Sequence, residues 1–165
     1  MKNIRIDYFT SLNTSYKISE PTTLMASYSR RIERPRGWAL EPFPTWIDAN
    51  NVRIGNPDLL PEFIDSYESG IQTYFGGISL STEVYYRIKK NKIEFIRTAI
   101  EENVTLTTFE NVGKDYSLGA EVMLNFDPLE FWNINLMGNA YNYRVEGVLY
   151  DEPFSKTSFN WQTRM

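Results

Sequence analysis

The chain has 165 residues, of which 15% are aromatic, and a formal net charge of -4. It holds no histidine and no cysteine, which removes disulfides, thiolate metal sites, cysteine nucleophiles and every Ser-His-Asp arrangement. So many rings are too apolar for a disordered chain, and the scattered basic residues argue against a nucleic-acid partner.

Period two dominates from the start. Tyr8, Thr10, Leu12, Thr14, Tyr16 and Ile18 alternate with Phe9, Ser11, Asn13, Ser15 and Lys17, which predicts a first strand. Met1-Lys2-Asn3 leads straight into it without an apolar signal core, so the chain is read as cytoplasmic or as a piece of a longer protein. No run approaches about 20 apolar residues, so no membrane-spanning helix is expected. After a short turn from Ser19 to Thr22, a second strand covers Leu24 to Ser29. A basic run of Arg30, Arg31, Arg34 and Arg36 follows this strand, and a very long connection runs from Glu33 to Glu62.

The connection ends in "NVRIGNPDLLPE", Asn51 to Glu62. Pro57 fixes its own φ and biases Asn56 toward extended backbone. Pro61 lacks an amide hydrogen, so a strand ladder cannot extend back through it, and Glu62 is expected to open the next strand. Gly55, Asn56, Pro57, Pro61 and Glu62 are therefore either a rigid surface feature at a ligand-facing end or simply the close of one strand and the start of another.

The third strand is predicted from Tyr67 to Phe75, the fourth from Ile78 to Lys89, with a Gly76-Gly77 turn between them. Lys89-Lys90-Asn91-Lys92 reads as a solvated hairpin end. Asn91 to Val112 reads as a hairpin extension that turns at Glu101-Glu102-Asn103. Strands follow at Tyr116 to Phe126 and Trp132 to Tyr141, joined by a short turn from Asp127 to Glu130. An intermediate connection from Val148 to Phe154 leads to a last strand near Ser155 to Thr163.

The expected fold is all-β, an antiparallel up-and-down meander of about seven long strands. Strands of ten or more residues exceed the usual five or six. Short turns alternate with long connections, so one end of the sheet is trimmed and the other elaborated. One strand face is apolar and the other carries Ser, Asn, Gln, Glu, Lys and Arg. Aromatic residues gather near strand ends, with Tyr16, Phe75, Phe126, Phe131 and Trp132 at the short turns and Tyr8, Tyr86 and Tyr116 at the other side. This is the pattern of a segment of a transmembrane β-barrel. A soluble sheet with one wet face also alternates and stays open as the second reading.

The pieces "YSRRIERP" (Tyr28 to Pro35), "GNPDLLPE" (Gly55 to Glu62) and "FENVGKDYSLGAEVMLNFDPLEFWNINLMGNAYNYR" (Phe109 to Arg144) occur in order. This series resembles the C-terminal barrel of TonB-dependent outer-membrane receptors, most of all the outer membrane protein beta-barrel family of Bacteroidetes-type bacteria. The resemblance implies the bacterial outer membrane and uptake of a bulky nutrient such as a siderophore or glycan. It implies a single partial domain over residues 1–165, since a closed barrel of this class needs about 22 strands. Outer-membrane lipid, the remaining barrel, a plug domain and, through the plug, TonB are the implied partners. The isolated piece has open edges and is expected to self-associate. Arg34 and Arg36 then read as contacts for an anionic ligand or as mouth charges facing water and headgroups. Trp38 and Trp46, with Phe43 and Ile47, read as stacking surfaces or as packing within the loop. Glu101-Glu102, and Glu68 with Glu83, are read as solvated carboxylates, so no catalytic residue, metal ligand or cofactor is expected. A passive porin- or adhesin-like barrel and a soluble ligand- or carbohydrate-binding β-domain are the alternative functions.

Overall fold

The computed structural model describes residues 7–129, 131–149 and 152–165. Its strands are β1 (Ser11–Ser19), β2 (Thr22–Glu33), β3 (Thr45–Asp48), β4 (Asn51–Arg53), β5 (Glu62–Phe75), β6 (Ile78–Glu101), β7 (Val104–Leu129), β8 (Trp132–Leu149) and β9 (Glu152–Arg164). A single 3-10 turn covers Gly37–Ala39. Seven long strands pair as an antiparallel meander, in the order β1-β2-β5-β6-β7-β8-β9. Two short strands were not expected. β3 and β4 form a hairpin inside the long connection, and β4 joins the outer part of β7 in parallel.

Two other expectations need correction. β8 runs to Leu149 and β9 starts at Glu152, paired with it, so strand pairing takes up most of the intermediate connection expected from Val148 to Phe154. Lys89 to Lys92 is no hairpin end. It lies in the middle of the continuous strand β6, at a bulge where Asn91 takes φ +57° and Lys92 pairs with Gly113. The Gly76-Gly77 turn is as expected. Both residues have positive φ, as a two-residue turn with right-handed strand twist requires.

Register makes the two faces of the sheet distinct. Tyr16, Leu24, Ile71, Thr82, Val122 and Gly138 lie in one cross-strand row. Thr14, Ala26, Ser69, Val84, Ala120, Ala140 and Trp161 lie in the next. On the same face Tyr28, Tyr67 and Tyr86 form a belt, with Tyr28 and Tyr67 rings 5.0 Å apart. Phe75, Ile78, Phe126 and Ile134 form the row beside the tight turns. The two belts stand eight residues apart, as from Tyr67 to Phe75 and from Ile78 to Tyr86, enough for an apolar band about 25 Å tall. Among the described residues, none covers this band. Leu118 is 54% exposed and Trp161 70%. Burial against lipid tails is the physical state that such a face demands.

The opposite face is polar and internally bonded. Ser27, Ser66 and Arg87 all donate to the Glu68 carboxylate, at 3.1, 2.9 and 3.1 Å. The Tyr85 hydroxyl donates to Asn139 Oδ1 at 3.2 Å. Such groups suit a water-filled or plugged lumen.

Candidate functional site

Above the tyrosine belt, β6 and β7 continue as a hairpin beyond the rest of the sheet. β8 leaves β7 at Gly113↔Gly147, and β5 begins only at Glu62, opposite Glu33. The hairpin would stand alone in water without further cover. The connection from Arg34 to Pro61 supplies it. Thr105 N–H donates to Asn50 O at 2.8 Å, and Ile54 N–H donates to Thr107 O at 3.0 Å. The β3–β4 turn is closed by Asp48, which accepts from Asn50 N–H and Asn51 Nδ2. These hydrogen bonds, that from Asn50 first, hold the Asp48 carboxyl below its ordinary value.

A small core lies between this connection and the hairpin. Phe109 is 2% exposed and packs with Ala39 and Leu59, flanked by Trp38, Leu40 and Ile93. Trp38 and Phe95 each meet the Phe109 ring edge-on, with centroids 5.2 and 5.1 Å away. The Arg53 guanidinium lies 4.9 Å from the Trp38 ring.

The residues of the Gly55–Glu62 motif are anchors of this unit. A Cβ on Gly55 would lie 2.6 Å from Glu41 N and 2.7 Å from Ala39 O, so only glycine lets the two backbones meet here. Asn56 donates from Nδ2 to Phe109 O at 3.0 Å, and its Oδ1 accepts from Asp58 N–H at 2.9 Å, an Asx turn around Pro57. Asn91 Nδ2 donates to Pro61 O at 3.2 Å. The buried Glu62 carboxylate accepts from Ile93 N–H at 2.7 Å and from Lys89 Nζ at 3.0 Å. Asn111 links the pieces, accepting from Leu60 N–H and donating to Leu60 O and Asn91 O.

The lysines at the bulge are held charged. Burial by itself lowers the Lys89 pKa, but the Glu62 hydrogen bond and the charges of Glu62, Glu33 and Asp115 outweigh it and raise it above the ordinary lysine value. Lys92 behaves alike. Burial opposes the charge, and bonds to Glu94 and Tyr143 prevail.

Three of the four ligand-contact candidates come together. Arg34, Arg36 and Trp38 line a concavity of about 300 Å³ with Glu33, Glu62, Ile93 and Phe95. Two guanidinium groups beside aromatic walls can hold a carboxylate or another planar anion. Trp46 does not join them. It lies on β3, 59% exposed, and Phe43 and Ile47 are exposed as well. Arg30 and Arg31 belong to β2 and not to the loop, and Arg30 Nε lies 3.8 Å from Asp65. Asn91, Phe109 and Asn111 were missed as site residues. The only signal was the break in alternation at Asn91. Among the described residues, no group of three or more acidic side chains could hold a metal ion.

Comparison with known proteins agrees with this architecture. The siderophore receptor PirA of Pseudomonas aeruginosa matches with a TM-score of 0.69 and 18% identity, over 95% of this chain and 34% of its own. A mutant of the ferric enterobactin receptor PfeA of the same organism matches with a TM-score of 0.63 and 19% identity, over 86% of this chain and 25% of its own. PirA of Acinetobacter baumannii matches with a TM-score of 0.56 and 18% identity, over 92% of this chain and 28% of its own. The chain thus spans about a third or less of these structures. No curated protein matches it. Residues 2–165 match the outer membrane protein beta-barrel family. The chain belongs to that family, and its apolar band is the lipid-facing wall of a barrel in the outer membrane.

Proposed function

We propose that the chain forms part of the wall and outer mouth of a TonB-dependent receptor that takes up a scarce nutrient. One observation carries the reading: a two-faced transmembrane sheet extends on one side only, into an ordered outer unit with a concavity lined by arginines, glutamates and aromatic rings. The likeness to siderophore receptors supports it. In this reading the polar face lines the passage against a plug domain, TonB acts through that plug, and Arg34, Arg36 and Trp38 touch the ligand. Trp46 samples it from the tip. The chain binds and conducts, and no bond is made or broken on it. Removed from the rest of the barrel, the free edges of β1 and β9 and the apolar band drive self-association without detergent.

The test is accumulation of nutrient by cells carrying the complete protein, with and without an uncoupler. Uptake that stops when the proton-motive force collapses supports the receptor. Uptake that persists indicates a passive porin and overturns the reading.

A further inference from the structure

The tyrosine belt does not end the lipid-facing side of the sheet. Register places two more rows on that side, below the bulge at Asn91. The first is Arg30, Asp65, Ile88, Tyr116, Arg144 and Thr157, two residues beyond the belt. The second is Ile32, Phe63, Lys90, Lys114, Glu146 and Ser155, two residues farther out. Hydrogen bonding confirms the side, because the hydroxyl of Tyr28 in the belt donates to Asp65 at 3.0 Å. The rows lie about 7 and 14 Å from the belt along the strands, in the layer where lipid headgroups meet a barrel wall.

Charge is spread unevenly over this wall. The two rows carry four cations, Arg30, Lys90, Lys114 and Arg144, against two carboxylates, Asp65 and Glu146. At the other end of the band the rows are Thr22, Thr73, Leu80, Leu124 and Leu136, then Phe75, Ile78, Phe126 and Ile134, and they hold no charge. Both carboxylates already have cations. Arg144 donates to Glu146, and Asp65 lies 3.8 Å from Arg30 and 3.5 Å from Lys90. Two positive charges remain in excess after this pairing. They centre on Lys90 and Lys114, which stand directly opposite each other on β6 and β7. Opposed like charges destabilise a sheet, and an anion between them turns repulsion into attraction.

A concavity adjoins the two lysines. Tyr86, Tyr116, Leu118, Asn142, Arg144 and Glu146 line a volume of about 420 Å³. Tyr116 is two residues from Lys114, and Glu146 is the partner of Lys114 on β8. Tyrosine rings stack on sugar rings, and an amide and a carboxylate bond hydroxyl groups. Basic side chains at headgroup level recognise lipid phosphates.

We infer that this outer rim is a binding site for a phosphorylated glycolipid of the outer leaflet. A phosphate bridges Lys90 and Lys114, a sugar ring occupies the concavity between Tyr86 and Tyr116, and the acyl chains run down over Leu118 and Phe159. The inference rests on the lipid-facing wall and not on the uptake reading.

The experiment is native mass spectrometry of the complete protein released from detergent micelles and titrated with a bisphosphorylated diglucosamine lipid. The same lipid without its phosphates, phosphatidylglycerol and inorganic phosphate are the comparison probes. The phosphorylated glycolipid is expected to be retained at least about tenfold more tightly than any of the three. Lys90→Gln combined with Lys114→Gln should weaken its retention at least about tenfold. Arg31→Gln combined with Lys156→Gln removes two charges from the polar face and should leave retention unchanged. If the lysine variant loses the compact electrophoretic mobility of a folded, unheated barrel, the four probes on the unaltered protein decide. Equal retention of the dephosphorylated lipid or of phosphatidylglycerol, displacement by inorganic phosphate at the lipid's own concentration, or an equal loss in the polar-face variant each overturns the inference.

Discussion

β6 and β7 obey different rules on the two sides of the bulge at Asn91 and Gly113. Below it, Val84 and Leu118 turn outward with none of the described residues over them, and lipid provides their burial. Above it, Phe109 is buried by the chain's own connection. The same two strands thus serve two solvents. The lesson is that alternation alone does not say where an apolar side chain is buried. In the membrane the bilayer supplies the second layer, and outside it the protein has to supply one.

The contrast can be broken first at Phe109. Phe109→Ala should cost the outer unit about 3–5 kcal/mol. Amide exchange over Val104 to Asn111 should accelerate, while Leu118 to Leu124 keep their protection. Equal acceleration in both stretches would show that the two regions unfold together.

Next in size is the lipid face. Val122→Arg, in the row midway between the two aromatic belts, should cost about 2–4 kcal/mol in reversible unfolding from lipid vesicles. Ser81→Arg, on the polar face, should stay within about 0.5 kcal/mol. Equal costs would mean that both faces meet the same medium.

Gly55→Ala sharpens the account of the outer unit. A methyl group there meets Glu41 and Ala39 backbone atoms, so overpacking of about 1–3 kcal/mol is expected. Proteolysis of the connection between Arg34 and Pro61 is the readout, with the membrane strands unchanged.

The smallest effect is electrostatic. Lys89 and Lys92 have pKa values raised by folding. A raised lysine stabilises fully below its unfolded pKa of about 10.4 and loses that contribution as pH climbs through the folded value. The outer unit should therefore open to exchange in strong alkali. Glu62→Gln should remove most of the Lys89 part while leaving an acceptor for Ile93 N–H. A pH profile unchanged by Glu62→Gln would show that this pair contributes nothing measurable.

Much of this was legible in the sequence because a period of two is a local property. Leu118, Val122 and their partners show their face from spacing alone, and Pro61 shows where a strand must begin. The hairpin extension and its turn at Glu101-Glu102-Asn103 could be read in the same way. The β3–β4 hairpin could not, since Thr45–Asp48 and Asn51–Arg53 are too short for a pattern. Lys89-Lys90-Asn91-Lys92 looked like a solvated end because four polar residues break the alternation without showing whether the strand turns or bulges there. Glu62 and Tyr143, the distant partners of Lys89 and Lys92, are brought to them by the fold.

By itself, then, the sequence determined an all-β meander, its apolar band and the side that carries the long connections. These follow from alternation, ring placement and turn residues, all written within a few positions of one another. Only the tertiary structure decided that Arg34, Arg36 and Trp38 share a concavity and Trp46 does not. Only the tertiary structure decided that β4 covers the β7 edge of the outer hairpin. Those facts depend on where a connection of irregular backbone crosses a bulged hairpin, and its position is set by Asn56, Asn111 and Glu62 reaching residues distant in the chain.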